Sequence, residues 1–379
     1  MTRYINKSSY KKLKLKIFIL LFLSLGFLIY AYSSRRPDWT EQKYSRGVYP
    51  KIISFWANIT SGVRFSIAEL IVYALVLAVI IRIVRGVIAV INERTASGRV
   101  FQLVDLLLSG VAAAVAICFL FISLWGLNYN RLSFSESSGL NVAPAPVGVL
   151  ERCSLLLATQ ANELREEVRE DDEGVMALSV PLKNTFDRSR EGYRITASEF
   201  ETLGDIGPGR AKPVLASRIM SYAGITGVYF PITAEANVNT DINAVEIPFT
   251  ICHELAHQKG YAREDEANFI AWLACMNSPF EDYRYSGALN ALCRLLNALN
   301  SSSPPAWERV RSACSPAVNR DLNAMGQYWK QYEGPVSDFS ESINDTFLKA
   351  NGQEDGVQSY GRMVDLVIAY YHSYGLAAG

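Results

Sequence analysis

The apolar positions of this chain follow two patterns, and the change between them falls near residue 130. Before that point apolar residues run together. Ile17 to Tyr32 is broken only by Ser24 and Gly26. Ile67 to Ile81 forms a second run, continuing amphipathically past Arg82 and Arg85 to Ile91. Leu106 to Leu127 forms a third, without a charge. Each is suited to crossing a hydrocarbon layer of about 30 Å as a helix. The pattern predicts a membrane anchor over 1–130, with spans at about 17–32, 67–91 and 104–127. The first run has features of a cleaved leader, with Ala31 before Tyr32-Ser33, but its length and the two runs behind it favour an uncleaved span. Glu69 lies near one end of its run, where it is expected at the interface rather than in lipid. Trp125 and Tyr129, at the exit of the third span, suit an interfacial aromatic belt.

After residue 130 the pattern becomes that of a water-soluble fold. Ser135 to Pro146 is rich in Ser, Pro and Gly and marks a linker over 131–147,. Helical periodicity follows from Val149 to Glu170, through Leu150, Leu155, Leu156, Ala158, Ala161 and Leu164,. It returns over Pro213–Tyr222, Ala288–Leu299, Trp307–Tyr332 (with a break expected at Pro316), Ser340–Ala350 and Tyr360–Tyr371. The most strand-like stretch is Gly227 to Asn239, β-branched and aromatic; Pro231 inside it demotes it to an edge. The expected class is α+β, mainly helical, with a short edge strand or small sheet in a globular domain over 148–379.

Composition narrows the function classes. The formal net charge is zero, so no global field favours nucleic acid, and none is expected as a partner,. The expected partner is the lipid bilayer. Six cysteines are scattered without a C-x-x-C pair, which argues against a cysteine zinc knuckle and leaves buried free thiols as the expectation,. Arg3, Lys7, Lys11, Lys12, Lys14 and Lys16 precede the first span, and Arg82, Arg85, Arg94 and Arg99 lie between the second and third. They outnumber Arg35, Arg36, Lys43, Arg46, Lys51 and Arg64 of the first loop. That bias places the N-terminus inside a multi-pass cell-membrane protein and the globular domain outside the cytoplasm.

The candidate chemistry is concentrated in Ile251 to Cys275. The chain has three histidines, and two of them form the His253-Glu254-Leu255-Ala256-His257 pattern. Pro248 suits a helix start, and Gly260 a C-cap with positive φ. On that helix the i, i+4 spacing puts both imidazoles on one face, able to share a metal at about 2.0–2.1 Å. Glu254 points about 100° away and is expected as a general base acting on a water activated by Zn2+. A second helix opening at Arg263 brings Glu264, Asp265 and Glu266, and its apolar stretch Phe269–Met276 predicts burial. The charges of Lys259 and residues 263–266 exclude a site within the bilayer.

These residues carry resemblances. H-E-x-x-H with Gly260 in register is similar to the metzincin pattern, but Arg263 stands where a third histidine is required, so that version fails. Glu264 to Asn268, E-x-x-A-N, resembles the element that supplies the third glutamate of gluzincins, and E-x-E-A-N of a bacterial family of phage-repressor and radiation-response metallopeptidases. The resemblance implies His253, His257 and Glu264 as metal ligands, with Asn268 orienting one of them; Glu266 and Asp265 stay open as rivals. It also implies an oxyanion-stabilising group on a later helix, for which Tyr360 and His372 are candidates, with Asn344 and Asp345 as cap or cleft residues.

Trp125 to Arg131 (WGLNYNR), Gly224 to Pro231 (GITGVYFP), the H-E-L-A-H-Q block with E-D-E-A-N, Asn344-Asp345, Lys349 to Gly352 and Ser359 to Gly361 together resemble the bacterial domain-of-unknown-function family 3810. That resemblance implies a multi-pass membrane protein with a zincin-like domain and no established substrate. The leading expectation is a membrane-anchored zinc metallopeptidase hydrolysing peptide bonds outside the membrane, of unknown peptide or protein substrate. The alternative is a non-catalytic sensor or scaffold with a structural zinc, its fourth ligand drawn from residues such as Asp241, Glu235 or Cys252.

Overall fold

The three apolar runs are helices in a computed structural model, which describes residues 7–204, 209–353 and 362–374. In chain order they are α1 (Lys7–Ser33), then a short α2 (Pro37–Trp39), a π-helical stretch Thr40–Val48, α3 (Tyr49–Ser61), α4 (Ile67–Asn92) and α5 (Ala96–Leu124). Lys14–Ser33, Ile67–Asn92 and Ala96–Leu124 are long and apolar enough to cross a membrane. Their large apolar side chains point outward; Leu21 and Leu107 are each 68% exposed, as suits a lipid-facing surface,. Ser66 and Thr95 cap α4 and α5 by accepting the N–H groups of Glu69 and Gly98,. Asp105 of α5 binds Lys16 of α1 at 2.5 Å and Arg82 of α4 at 3.0 Å, tying the three helices together at one level.

The loop between the first two spans has no expected element, yet it is helical. α3 buries Tyr49, Ile53, Ala57 and Thr60 at three- and four-residue intervals, one face of the helix,. Beyond α5 the chain turns through a 3-10 segment, Gly126–Asn130, into α6 (Phe134–Ser138), which starts with a capping box between Ser133 and Glu136,. Trp125 and Tyr129 do not form the expected interfacial belt. They are 6% and 4% exposed, packed with Tyr49, Ile53, Tyr229 and Ala262 in a small core of their own. Each offers a large apolar ring, and the domain surface takes it in place of the lipid headgroups.

The remaining helices are α7 (Val147–Arg165), α8 (Leu182–Glu199), α9 (Ser217–Tyr222), α10 (Ile247–Gln258), α11 (Glu264–Met276), α12 (Glu281–Ser302), α13 (Pro304–Ala313), α14 (Pro316–Lys330), α15 (Pro335–Ala350) and α16 (Met363–Ser373). A minimal hairpin pairs β1 (Arg169–Glu170) with β2 (Met176–Ala177). The other sheet holds β3 (Ala211–Pro213), β4 (Gly227–Phe230) and β5 (Glu235–Val238) in the order β3-β5-β4. The chain is thus mainly helical with small sheets. The stretch read as one strand from Gly227 to Asn239 is a hairpin: β4 stops at Phe230, and Pro231 has no N–H to continue the ladder,. Ala234 makes the turn with φ +54. The break expected at Pro316 separates α13 from α14. α8, not foreseen, packs on α11.

The main core surrounds α11, which is buried from Glu266 to Cys275. α8, α10, α12 and α16 lie around it, with Phe269 and Trp272 at the centre of a ring cluster that includes Tyr370 and Tyr371. The spans meet this body at their ends. Asn130 donates to Ser33 Oγ at 2.7 Å, joining the C-terminal ends of α1 and α5. The backbone N–H groups of Ile67 and Ala68 donate to Glu235 of β5 at 3.2 and 2.6 Å, so a strand carboxylate sits at the positive end of α4,. Residues 34–66 and the globular body therefore lie on one side of the three spans, and the α4–α5 turn lies on the other.

Candidate metal centre

α10 begins with Pro248 in its first turn, where the missing N–H costs nothing, and ends at the predicted glycine,. Gly260 has φ +87. Its N–H donates to the His257 carbonyl at 2.9 Å, and the Tyr261 N–H donates to the Ala256 carbonyl at 3.2 Å, the paired bonds of a Schellman end,. This turn folds the chain back so that the Tyr261 carbonyl reaches His257. It then delivers Arg263 as the N-cap of α11 and Glu264 as its first residue. An acidic first turn is favoured there by the helix dipole.

The result is a triangle of donor atoms. His253 Nε2 and His257 Nε2 are 3.1 Å apart. Glu264 lies 3.2 Å from His253 Nε2 through one oxygen and 3.5 Å from His257 Nε2 through the other. Among the described residues these three form the one group of histidine, cysteine or carboxylate side chains close enough to share an ion. A tetrahedral zinc with bonds of about 2.0–2.1 Å separates its ligands by about 3.3 Å, so the triangle has the size of one face of such a site. The tautomer also fits. His257 Nδ1 lies 2.7 Å from the Tyr261 carbonyl, which can only accept, so the proton sits on Nδ1 and the Nε2 lone pair faces the other two donors,. The protein groups alone favour a cation here. Burial opposes charge on His257, yet the Glu264 and Glu254 carboxylates raise it to about 9. Burial lowers His253, and the two imidazoles hold Glu264 well below the usual carboxylate range despite its burial. A metal displaces such protons when it binds.

Glu254 does not join the triangle. Its side chain lies against the backbone of Gly227, the first residue of β4, where a Cβ would meet Glu254 Oε1 at 2.5 Å and Cγ at 2.7 Å. The glycine is what allows the carboxylate to lie against the strand. Glu254 Oε2 is buried without a hydrogen-bond partner among the described residues, and burial with the nearby Glu264 raises the group to about 8. An unpartnered buried carboxylate is costly unless a ligand or water completes it.

The other candidates are placed elsewhere. Glu266 accepts from the Phe134 N–H at 2.7 Å and from Arg263 at 3.0 Å, a structural role that turns it away from the histidines. Asp265 faces Arg362 at 3.6 Å. Asn268 accepts from Arg294 at 2.9 Å. Glu235 is taken by the buried Lys212 and by α4, Asp241 by the hydroxyls of Tyr328 and Tyr332, and Cys252 is a buried free thiol. All six cysteines are free, as expected, but only Cys153, Cys252, Cys275 and Cys314 are buried; Cys118 is exposed and Cys293 half-buried. His372 is exposed on α16, and Asp345 pairs with Lys349 on α15 at 2.7 Å. Tyr360 lies outside the described residues.

The sequence reading missed what holds the C-terminal end of α10. The Trp125 indole N–H donates to the His257 carbonyl at 3.0 Å, and the Tyr49 hydroxyl donates to the Gln258 carbonyl at 2.8 Å. Arg131 donates to the Gly260 carbonyl at 3.2 Å, lies 4.3 Å from the Tyr261 ring centre and pairs with the buried Glu41 at 2.8 Å. The last carbonyls of the histidine helix are therefore satisfied by residues next to the membrane spans. The one signal for this was the polar and aromatic run WGLNYNR directly after an apolar span, where lipid alone would not call for Asn128, Asn130 and Arg131.

A family model described as "Protein of unknown function (DUF3810)" matches residues 44–368. No curated protein and no solved structure matches the chain.

Proposed function

The chain belongs to the DUF3810 family of unknown function, and because that membership names no activity, we propose from the site itself that the protein is a membrane-anchored zinc metallopeptidase. In this reading residues 148–379 form a zincin-like domain that cuts peptide bonds outside the membrane, on the extracytoplasmic side favoured by the basic residues of the N-terminus and the α4–α5 turn. His253, His257 and Glu264 would hold the zinc. A bound zinc supplies a Lewis acid that acidifies water and polarises a carbonyl. The observation that carries the reading is the pairing of that donor triangle with a buried, unpartnered Glu254 oxygen beside a sheet edge.

Each chain residue then has a task. With the burial that raises Glu254 to about 8 offset by the charge of a bound zinc, the Glu254 carboxylate accepts the proton of the attacking water at Oε2 and passes it to the leaving amine,. β4 is an outer strand of its sheet, so an extended substrate segment can pair along it and bring a peptide group past Gly227 to Glu254,. Tyr261 keeps the His257 lone pair aimed inward. The competing reading, a structural zinc in a scaffold or sensor, needs a fourth protein ligand. Glu235 and Asp241, the carboxylates considered for that place, are engaged elsewhere, which favours the open site.

Purified protein is expected to carry stoichiometric zinc, absent from His253→Ala and His257→Ala. Equal metal content in all three would sink the assignment. Glu254→Gln separates the two readings: zinc retained with turnover and cellular phenotype lost supports the peptidase, whereas zinc retained with the phenotype intact supports the scaffold.

A further inference from the structure

α15 carries an exposed apolar stripe. Val336, Phe339, Ile343 and Phe347 recur at three- and four-residue spacing on one face, and they are 59%, 69%, 55% and 39% exposed,. Leu348 is the one buried side chain of the helix. An amphipathic helix left with its apolar face open marks a surface made for a partner.

The C-terminal end of the stripe identifies that partner. The Phe347 ring meets Phe121 at 5.7 Å and Tyr129 at 6.2 Å, both edge-on. Just past the helix, Asn351 Oδ1 accepts from the Tyr30 hydroxyl at 3.5 Å. Phe121 and Tyr30 belong to the last turns of α5 and α1, where those spans leave the apolar layer. A second apolar projection flanks the remaining span. Leu215 and Ile219 are 83% and 71% exposed, and the N–H groups of Leu215 and Ala216 donate to Glu69 in the first turn of α4 at 2.9 and 2.8 Å.

We infer that α15 is an in-plane membrane helix whose stripe beds into the lipid leaflet at which α1 and α5 emerge, with Leu215 and Ile219 as a second foot beside α4. The partner is the bilayer surface, because the stripe begins where α1 and α5 leave the apolar layer and presents the same kind of exposed large apolar side chains that cover those spans. The contact is made by apolar insertion rather than by attraction to anionic headgroups: Asp338, Glu341 and Asp345 outnumber Lys349 among the charges of α15,. This seat also reaches the candidate metal centre. Gln353, three residues beyond α15, is buried, and its side-chain oxygen accepts the backbone N–H of Glu264 at 3.2 Å. The lipid surface thus positions the segment that meets the N-terminus of α11. The inference does not depend on the metal or on peptidase activity.

Nitroxide accessibility on the full chain in lipid nanodiscs tests it. Labels are placed singly at Phe339→Cys and Glu341→Cys in a Cys118→Ser background, Cys118 being the exposed native thiol. The pair Ile343→Cys and Ser342→Cys repeats the comparison. The expected result is a ratio of oxygen to water-soluble nickel chelate accessibility severalfold higher at 339 and 343 than at 341 and 342. Equal chelate access at all four sites would place α15 in water and overturn the inference. Protection of 339 from both reagents, or spin–spin broadening between copies, would replace lipid with a protein partner and overturn it equally.

Discussion

Replacing Gly260 by alanine perturbs the candidate centre at its hinge, and two separate costs follow from the structure. At φ +87 an L-residue is in the left-handed region, a strain of about 1–2 kcal/mol,. The added Cβ would also lie 2.9 Å from the Tyr49 ring and 3.4 Å from Asn128, and Tyr49 is fully buried, so neighbours must shift; such overpacking costs about 1–3 kcal/mol,. The turn carries the Tyr261 carbonyl that orients His257, and loss of such an orienting bond lowers metal affinity by about 10–100-fold,. The assay is paired: thermal unfolding in detergent, and zinc affinity by chelator competition. Gly260→Asn is the internal control, since asparagine tolerates the left-handed region yet still carries a Cβ. The expected order of stability is Gly, then Asn, then Ala, with zinc affinity in the same order. An alanine variant equal to wild type in both measurements would refute the reasoning, and asparagine equal to glycine would refute the steric part.

The roles of the acidic cluster separate cleanly: Glu264→Gln should lose zinc, whereas Glu266→Gln should keep it and lose on the order of 1–3 kcal/mol of stability by weakening the Phe134 and Arg263 bonds, as metal analysis and thermal melts would show,. Glu246, at the N-cap of α10, is raised by burial from 4.5 to about 7, so the native state holds its proton more tightly than the unfolded chain. Stability from this group is complete below about pH 4.5 and is lost as pH rises through about 7, on the order of 3 kcal/mol by pH 8,. Glu246→Gln should therefore raise the unfolding midpoint at pH 8 and leave it unchanged at pH 4, and equal shifts at both would sink the assignment. Lys212→Met leaves Glu235 buried and unpaired, at a cost of about 3–5 kcal/mol,. Because Glu235 also caps α4, faster hydrogen exchange is expected at the Ile67 and Ala68 amides, and unchanged exchange there would count against that link.

The histidine helix is held from two directions, by the core helices around α11 and by residues that leave or enter the membrane spans. Trp125, Tyr49 and Arg131 satisfy its last carbonyls, while Glu235 and Glu69 join the sheet and the β3–α9 loop to the start of α4. The spans are therefore continuous with the scaffold of the site.

The sequence by itself determined the features that depend on local spacing. Apolar run length predicted three helices able to span a bilayer, since a helix rises by a fixed amount per residue. The i, i+4 histidines, Pro248 and Gly260 predicted α10, its shared face and its positive-φ end, because each is a property of a few consecutive residues. Resemblance favoured Glu264 over Asp265 and Glu266, but only the tertiary structure shows that Glu264 is the one that faces the histidines. That choice depends on the angle between α10 and α11, set by a turn and a core drawn from distant segments. Only the fold revealed that Trp125 binds the histidine helix, with Tyr129 packed edge-on against it, rather than lining the interface, for an aromatic ring satisfies either environment equally well in sequence,. The strand at Gly227 shows the same division. Its β character was local, but its glycine makes sense only once Glu254, from another element, lies against it.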